Sequence, residues 1–253
     1  MTVTFLGTGT SQGVPVIGCP CKVCHSLDFR DKRLRTAAHI AIEGKSFVID
    51  TGPDFRQQML REKISTLDAI LFTHEHKDHT AGLDDIRPFN FRQRRDMPVY
   101  GRRQVIEQLK TEFAYAFSEK KYPGTPEIKT QVIENAPFAI DGITIHPVEV
   151  HHYKLPVFGY RINGFSYITD ASSISPAEKE KIKHSKVLVL NALQKEEHIS
   201  HFTLSEALAL IEELEPEQAY LTHISHRLGL HEEIQQELPE SVALAYDGLK
   251  ITL

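Results

Sequence analysis

The chain has 253 residues, of which 41% are hydrophobic and 25% charged, and a formal net charge of −5. That length buries a core without staples, and the mild acidity disfavours a nucleic-acid footprint, which needs clustered Lys and Arg. No apolar run approaches the roughly 18 residues of a membrane span, and Met1 to Thr4 lacks a signal-peptide pattern, so a cytoplasmic protein with no membrane partner is expected.

Thr2 to Leu6 alternates as a strand and runs into the glycine-rich loop Gly7 to Gly13. Two strands, Ala38 to Ile42 and Ser46 to Asp50, are predicted to form a hairpin, followed by a helix over Asp54 to Glu62 and a buried strand over Leu67 to Phe72. The apolar spacing from Gln104 to Phe117 predicts one long helix. Val132 to Thr169 reads as short strands punctuated by Asp141-Gly142 and Asn163-Gly164 turns. A helix over Pro176 to Lys183, a strand over Val187 to Leu190, a helix over Thr203 to Leu214, a strand over Gln218 to Thr222 and a helix over Glu232 to Leu238 come next. A last hairpin is expected at Asp247-Gly248.

The 14 histidines and 3 cysteines call for a chemical reason. His74-Glu75-His76-Lys77-Asp78-His79 directly follows an apolar strand, and the pattern H-x-H-x-D-H is rare by chance. At a strand-to-helix turn, His74 and His76 reach one side while Asp78 and His79 approach from another, an arrangement that serves two metals. Cys19, Cys21 and Cys24 are a poor disulfide framework but suit one tetrahedral zinc, which wants a fourth ligand; buried or redox-active thiols are the alternative. Asp50 fits either a group that orients a ligating imidazole or a turn at a strand end. The Gly7 to Gly13 loop is neither a Walker nor a Rossmann pattern. Arg33, Arg35, Arg87, Lys154 and Arg161 are candidates for a substrate phosphate.

The H-x-H-x-D-H run, the segment Val150-His151-His152-Tyr153-Lys154-Leu155, Thr169-Asp170 and Leu221-Thr222-His223-Ile224-Ser225-His226 together resemble the metallo-β-lactamase superfamily over essentially the whole chain. Within it they are similar to the phosphodiesterase branch that includes PhnP and tRNase Z. The resemblance implies an α/β fold: an αββα four-layer sandwich, two mixed β-sheets flanked by helices. It would form a single domain over 1–253 with a zinc-binding loop at 18–26. It implies two catalytic divalent metals, Zn or Mn, held by His74, His76 and His152 on one side and Asp78, His79 and His223 on the other, with Asp170 bridging. On an extended segment His151 and His152 face opposite ways, so only one ligates, and the Tyr-Lys-Leu that follows favours His152. Asp170 alternatively reads as a turn residue ending a strand. His226 would complete the cysteine set around one structural Zn, and His201, with His198 as second choice, would donate a proton from outside the ligand set.

The implied activity is hydrolysis of a small cyclic phosphodiester, phosphoribosyl 1,2-cyclic phosphate or a 2',3'-cyclic nucleotide, by a hydroxide shared between two metals and oriented by Asp78. Alternatives are tRNase Z-like RNA cleavage, for which Tyr122 to Pro126 is too short to be a tRNA-gripping arm, and glyoxalase II-like thioester hydrolysis. A non-catalytic scaffold fits poorly with a full ligand set. The expected partner is a small-molecule substrate rather than nucleic acid, and a homodimer is the one assembly considered.

Overall fold

Side-chain alternation along the strands sends successive residues to opposite faces of a sheet, and here both faces of both sheets are covered. The computed structural model, which describes residues 1–253, builds the first sheet from β1 (Thr2–Gly7), β2 (Ala37–Ile42), β3 (Lys45–Ile49), β4 (Ala69–Leu71), β5 (Met97–Gly101) and β6 (Ile128–Val132). The second holds β7 (Phe138–Ile140), β8 (Ile143–His152), β9 (Leu155–Ile162), β10 (Phe165–Tyr167), β11 (Ser173–Ile174), β12 (Val187–Asn191), β13 (Gln218–Thr222) and β14 (Val242–Leu244). The chain then returns to the first sheet, where β15 (Lys250–Thr252) pairs with β1. Strand order is β15-β1-β2-β3-β4-β5-β6 in one sheet and β11-β8-β9-β10-β12-β13-β14 in the other, with β7 paired to β8.

Three apolar layers result. Val3, Phe5, Ile40, Phe47, Phe158 and Tyr160 fill the space between the sheets. Their neighbours Leu6, Val48 and Ile70 face outward and meet α1 (Phe55–Glu62), α3 (Arg87–Gln93), α4 (Arg103–Glu112) and α5 (Ala114–Phe117), while α2 (Lys77–Thr80) lies between α1 and α3 in the chain. On the far side Val150, Leu188 and Leu190 meet α6 (Pro176–Ile182), α7 (Leu204–Leu214) and α8 (His231–Glu237). This is the expected αββα sandwich. No helix is long and apolar enough to cross a membrane.

Two expectations need correction. The single helix from Gln104 to Phe117 is broken at Phe113, whose backbone (φ −108°, ψ 36°) leaves the helical region between α4 and α5. Phe113 and Ala116 still reach the same core as Leu109, so the periodicity that predicted one helix survives the break. Asp247-Gly248 is not a hairpin: β14 runs parallel to β13 in the second sheet, and β15 runs antiparallel to β1 in the first. The turn crosses the sandwich, and the buried Asp247 carboxylate accepts from Thr8 Oγ1 and Leu34 N, both at 2.8 Å.

β3 to β6 are parallel, as are β10, β12, β13 and β14, so carboxyl ends from both sheets meet at one edge. There Phe158 N donates to Thr73 O at 3.0 Å and the Tyr160 hydroxyl to Phe72 O at 2.5 Å, tying the sheets together. Past three of these strand ends, Asp50 and His223 at the next residue and Asp170 three residues on turn the chain with left-handed φ of 65°, 56° and 57°. Such backbone is costly for residues other than glycine and concentrates where a side chain must be aimed.

Candidate metal centre

Asp50 organises the edge from inside. It is fully buried; its Oδ1 accepts from Thr73 N at 2.9 Å, and its Oδ2 accepts from Thr73 Oγ1 at 2.8 Å and from His79 Nδ1 at 2.7 Å. The Thr73 hydroxyl, having given its proton to Asp50, accepts from His74 Nδ1 at 2.9 Å. One carboxylate therefore fixes two imidazoles, the first directly and the second through Thr73, and leaves both Nε2 atoms pointing away from it. Burial raises the Asp50 carboxyl pKa, opposed by His79 and Thr73. Beside it, Gly52 must lack a side chain, since a Cβ there would lie 2.1 Å from the Asp78 carbonyl oxygen. Thr51 N donates to His79 O at 2.8 Å, so this segment holds α2, which carries Asp78 and His79.

The Nε2 atoms converge with other donors. His74 Nε2 lies 2.9 Å from His76 Nδ1, and the His152 ring is 5.1 Å from that of His76. His152 Nδ1 donates to Ser200 O at 2.8 Å, which leaves its Nε2 free to ligate. His74, His76 and His152 thus form one donor group, Asp78, Asp170 and His223 a second, His74, His79 and Asp170 a third that overlaps both, and His152, Asp170 and His201 a fourth. His79 Nε2 is 3.2 Å from Asp78 Oδ2 and 3.3 Å from Asp170 Oδ2 yet is buried without a hydrogen bond. Burial opposes charge on His79, but Asp170, Asp78 and Asp50 outweigh it and push its pKa well above the imidazole range. An orphaned imidazole nitrogen among carboxylates, next to a cluster of imidazoles, is a donor set that fits hard or borderline divalent cations such as Zn and Mn.

Of the adjacent pair, His152 enters this group, whereas His151 lies opposite Ser173 of β11 and belongs to none. Replacing His152 by alanine is expected to remove bound metal, and His151→Ala to leave it intact; metal analysis of the two purified variants checks the choice. His201 stacks 4.8 Å from His223 and sits tilted 4.6 Å from His152, with Nδ1 buried, unpaired and 3.9 Å from Asp170 Oδ1. Burial first, then His223, push its pKa down to about 3, so the free side chain is neutral at pH 7 rather than poised there. His198 is exposed, 5.1 Å further out.

Three hydroxyls escaped the sequence reading: Thr73, Thr10, whose Oγ1 is 3.2 Å from His223 Nε2, and Thr169, whose Oγ1 donates to Asp170 Oδ2 at 2.6 Å. Thr10 gives the glycine-rich loop a place beside the centre. The phosphate-binding candidates separate. Arg33 is buried and donates to Thr8 Oγ1 at 2.8 Å, Ala245 O at 2.6 Å and His231 Nδ1 at 3.1 Å, so it is structural. Arg161 donates to Lys181 O at 2.5 Å and Arg87 pairs with Asp84, also at 2.5 Å, away from the centre. Arg35 is held by Asp54 and the Ser11 carbonyl, and Lys154 follows His152 by two residues.

The Arg33–His231 contact makes a pH prediction. Burial, then Arg33, lower the His231 pKa to about 4 from an ordinary 6.5, so the unfolded chain binds the extra proton first. Stability contributed by neutral His231 is present above pH 6.5 and lost as pH falls toward 4. Tm should fall by roughly 5 °C across that window. His231→Gln, which keeps an acceptor for Arg33, should flatten the dependence in thermal melts.

Cys19, Cys21, Cys24 and His226 form a separate group, with His226 three residues beyond His223. The sulfurs of Cys19 and Cys21 are each 3.3 Å from His226 Nδ1, close to the roughly 3.6 Å that tetrahedral Zn–S and Zn–N bonds impose between ligands. The Cys24 amide, the largest cause, and His226 lower the Cys21 thiol pKa to about 6, whereas burial raises that of Cys24 to about 11. Replacing His226 by alanine should cost one ion per chain in metal analysis and lower Tm by roughly 5–10 °C.

Against known proteins, a family model described as a β-lactamase superfamily domain matches residues 45–224. An octanoyltransferase from Porphyromonas gingivalis is 40% identical over 253 residues, 99% of this chain and 51% of that protein. Ribonuclease Z from Staphylococcus epidermidis is 26% identical over 172 residues, 64% of this chain and 49% of that one. The chain thus spans about half the length of these relatives. Among solved structures, a diphosphatase from the PhnP family superposes with a TM-score of 0.94 at 40% identity, covering 100% of this chain and 97% of that one. Zn(2+)-bound PqqB from Methylobacterium extorquens does so with a TM-score of 0.81 at 17% identity over 100% of both chains, a likeness of fold.

Proposed function

The chain belongs to the metallo-β-lactamase superfamily, as a hydrolase-fold member of it, and from that premise we propose that it hydrolyses a small cyclic phosphodiester of the phosphoribosyl 1,2-cyclic phosphate or 2',3'-cyclic nucleotide type. The observation that carries the proposal is the convergence of two donor groups on Asp170, with the buried, unpaired Nδ1 of His201 facing the same carboxylate. His74, His76 and His152 would hold one divalent cation, Asp78, His79 and His223 a second, and Asp170 both; Cys19, Cys21, Cys24 and His226 would hold a structural zinc. Zn or Mn ions bound there supply the acidification of a water molecule and the neutralisation of charge on the phosphoryl oxygens.

The chain's own residues do the rest. Asp78 orients the attacking water, whose oxygen bonds to phosphorus as the bond to the ester oxygen breaks. His201 delivers a proton to that departing oxygen. Although neutral in the free site, it gains a reason to be charged when an anionic phosphate arrives, because a nearby negative charge favours the imidazolium. Asp50 and Thr73 hold His79 and His74 in the tautomers that ligation needs.

A second possibility, cleavage of a diphosphate bond, is favoured by the PhnP-family diphosphatase at 40% identity. RNA cleavage of the ribonuclease Z kind has less support, since the net charge is −5 and Tyr122 to Pro126 is only a short loop between α5 and β6. The test is hydrolysis of bis(p-nitrophenyl) phosphate, absent in the metal-stripped protein and restored by Zn or Mn, followed by a panel of cyclic phosphates and diphosphates. No hydrolysis of any phosphodiester by the metal-loaded protein would refute the proposal.

A further inference from the structure

Two large exposed side chains that the proposed chemistry does not use stand next in sequence to residues of the metal centre. Tyr153, 50% exposed, directly follows His152, and Ile199, 70% exposed, directly precedes Ser200. Since the Ser200 carbonyl accepts the His152 Nδ1 proton at 2.8 Å, each apolar side chain stands one residue from the same hydrogen bond beside the cluster. Tyr153 also adopts a left-handed backbone, φ 56°, in the turn between β8 and β9, where glycine or asparagine is the ordinary choice. Its amide donates to Ser172 Oγ at 3.0 Å, which fixes the turn. Lys154 Nζ lies 5.2 Å from the Tyr153 ring centroid and enters no ion pair, so it brings an unneutralised cation to the same place.

An exposed aromatic ring in a fixed but unfavourable backbone, next to a free cation and a proposed metal ligand, is the arrangement that stacks a planar heterocycle linked to an anion. We propose that Tyr153, with Ile199, forms a subsite that stacks the base of a nucleoside phosphodiester, with Lys154 serving its phosphate. The proposal rests on the phosphodiesterase assignment above and selects within it. A base-free phosphoribosyl cyclic phosphate would leave Tyr153 without a partner, whereas a 2',3'-cyclic nucleotide would use it.

The experiment compares 2',3'-cyclic AMP with the methyl riboside 2',3'-cyclic phosphate, which keeps the reacting group and lacks the base. Tyr153→Ala, and Tyr153→Asn as a variant suited to left-handed backbone, should raise KM for the cyclic nucleotide about tenfold with little change in kcat, while Tyr153→Phe retains the parent values. The base-free substrate should respond less than twofold. Calorimetric binding of 2'-AMP and 3'-AMP to the metal-loaded protein should weaken by a similar factor in Tyr153→Ala. Equal effects on both substrates, or no effect on either, would overturn the stacking subsite. If the parent protein hydrolyses no phosphodiester, the assignment itself fails, and the nucleotide-binding arm still reports on Tyr153.

Discussion

Asp170→Asn is expected to abolish hydrolysis and strip catalytic metal while leaving the protein folded. Asp170 belongs to three of the donor groups, and its Oδ2 lies 3.3 Å from His79 Nε2 and 3.2 Å from His223 Nδ1. Burial alone would keep such a carboxyl protonated, but His223 and His79 hold its pKa well below the carboxylate range, so it contributes a full negative charge. Asparagine removes that charge and turns one oxygen into a donor, which repels a cation where the carboxylate would attract one. The left-handed backbone is not a confounder, because asparagine tolerates it as aspartate does. Losing the several kcal/mol that a bound cation supplies corresponds to a rate loss of about 10³-fold or more. The Cys19, Cys21, Cys24 and His226 set is untouched by the change, so metal analysis should fall to one ion per chain, with the protein still folded and Tm lowered only by the stabilisation that the catalytic ions supplied. Full metal content together with full activity would sink the bridging role.

How much of this the sequence exposes depends on whether a residue's meaning is local. His74, His76, Asp78 and His79 are legible because four donors fall within six positions after an apolar strand, and the three cysteines because their spacing suits one ion. Which helix or strand delivers Asp170, His223 and His226 is set by topology, and only resemblance located them beforehand. Thr73 and Thr10 were invisible for a different reason: a threonine hydroxyl is common, and its use as a link between Asp50 and His74 exists only once β3 and β4 lie side by side. β5 was hidden by Pro98, which argues against a central strand yet sits between β4 and β6. Asp247-Gly248 has the local chemistry of a hairpin turn, and the contacts of Asp247 with Thr8 and Leu34 across the sandwich decided otherwise. Arg33 shows the converse error, since its charge suggested a substrate contact while its burial and three hydrogen bonds make it part of the frame.

His201→Gln should separate proton delivery from everything else the centre does. If His201 protonates the departing oxygen, its importance scales with the basicity of that oxygen. A ribose alkoxide needs the proton, so kcat for 2',3'-cyclic AMP should fall about 10²–10³-fold. A p-nitrophenolate leaves unaided, so the loss with bis(p-nitrophenyl) phosphate should stay within about tenfold. Metal content should match the parent, because His201 Nδ1 stands 3.9 Å from Asp170 Oδ1 and the proposed ligand set is complete without it. The pH profile adds a sign. Burial and His223 keep the free imidazole at about 3 against the opposing pull of Asp170, and a bound phosphate adds to that pull, so the descending alkaline limb belongs to kcat and should vanish in the variant. Equal losses on both leaving groups would place His201 in substrate positioning, and loss of metal with activity would make it a structural neighbour of His152 and His223.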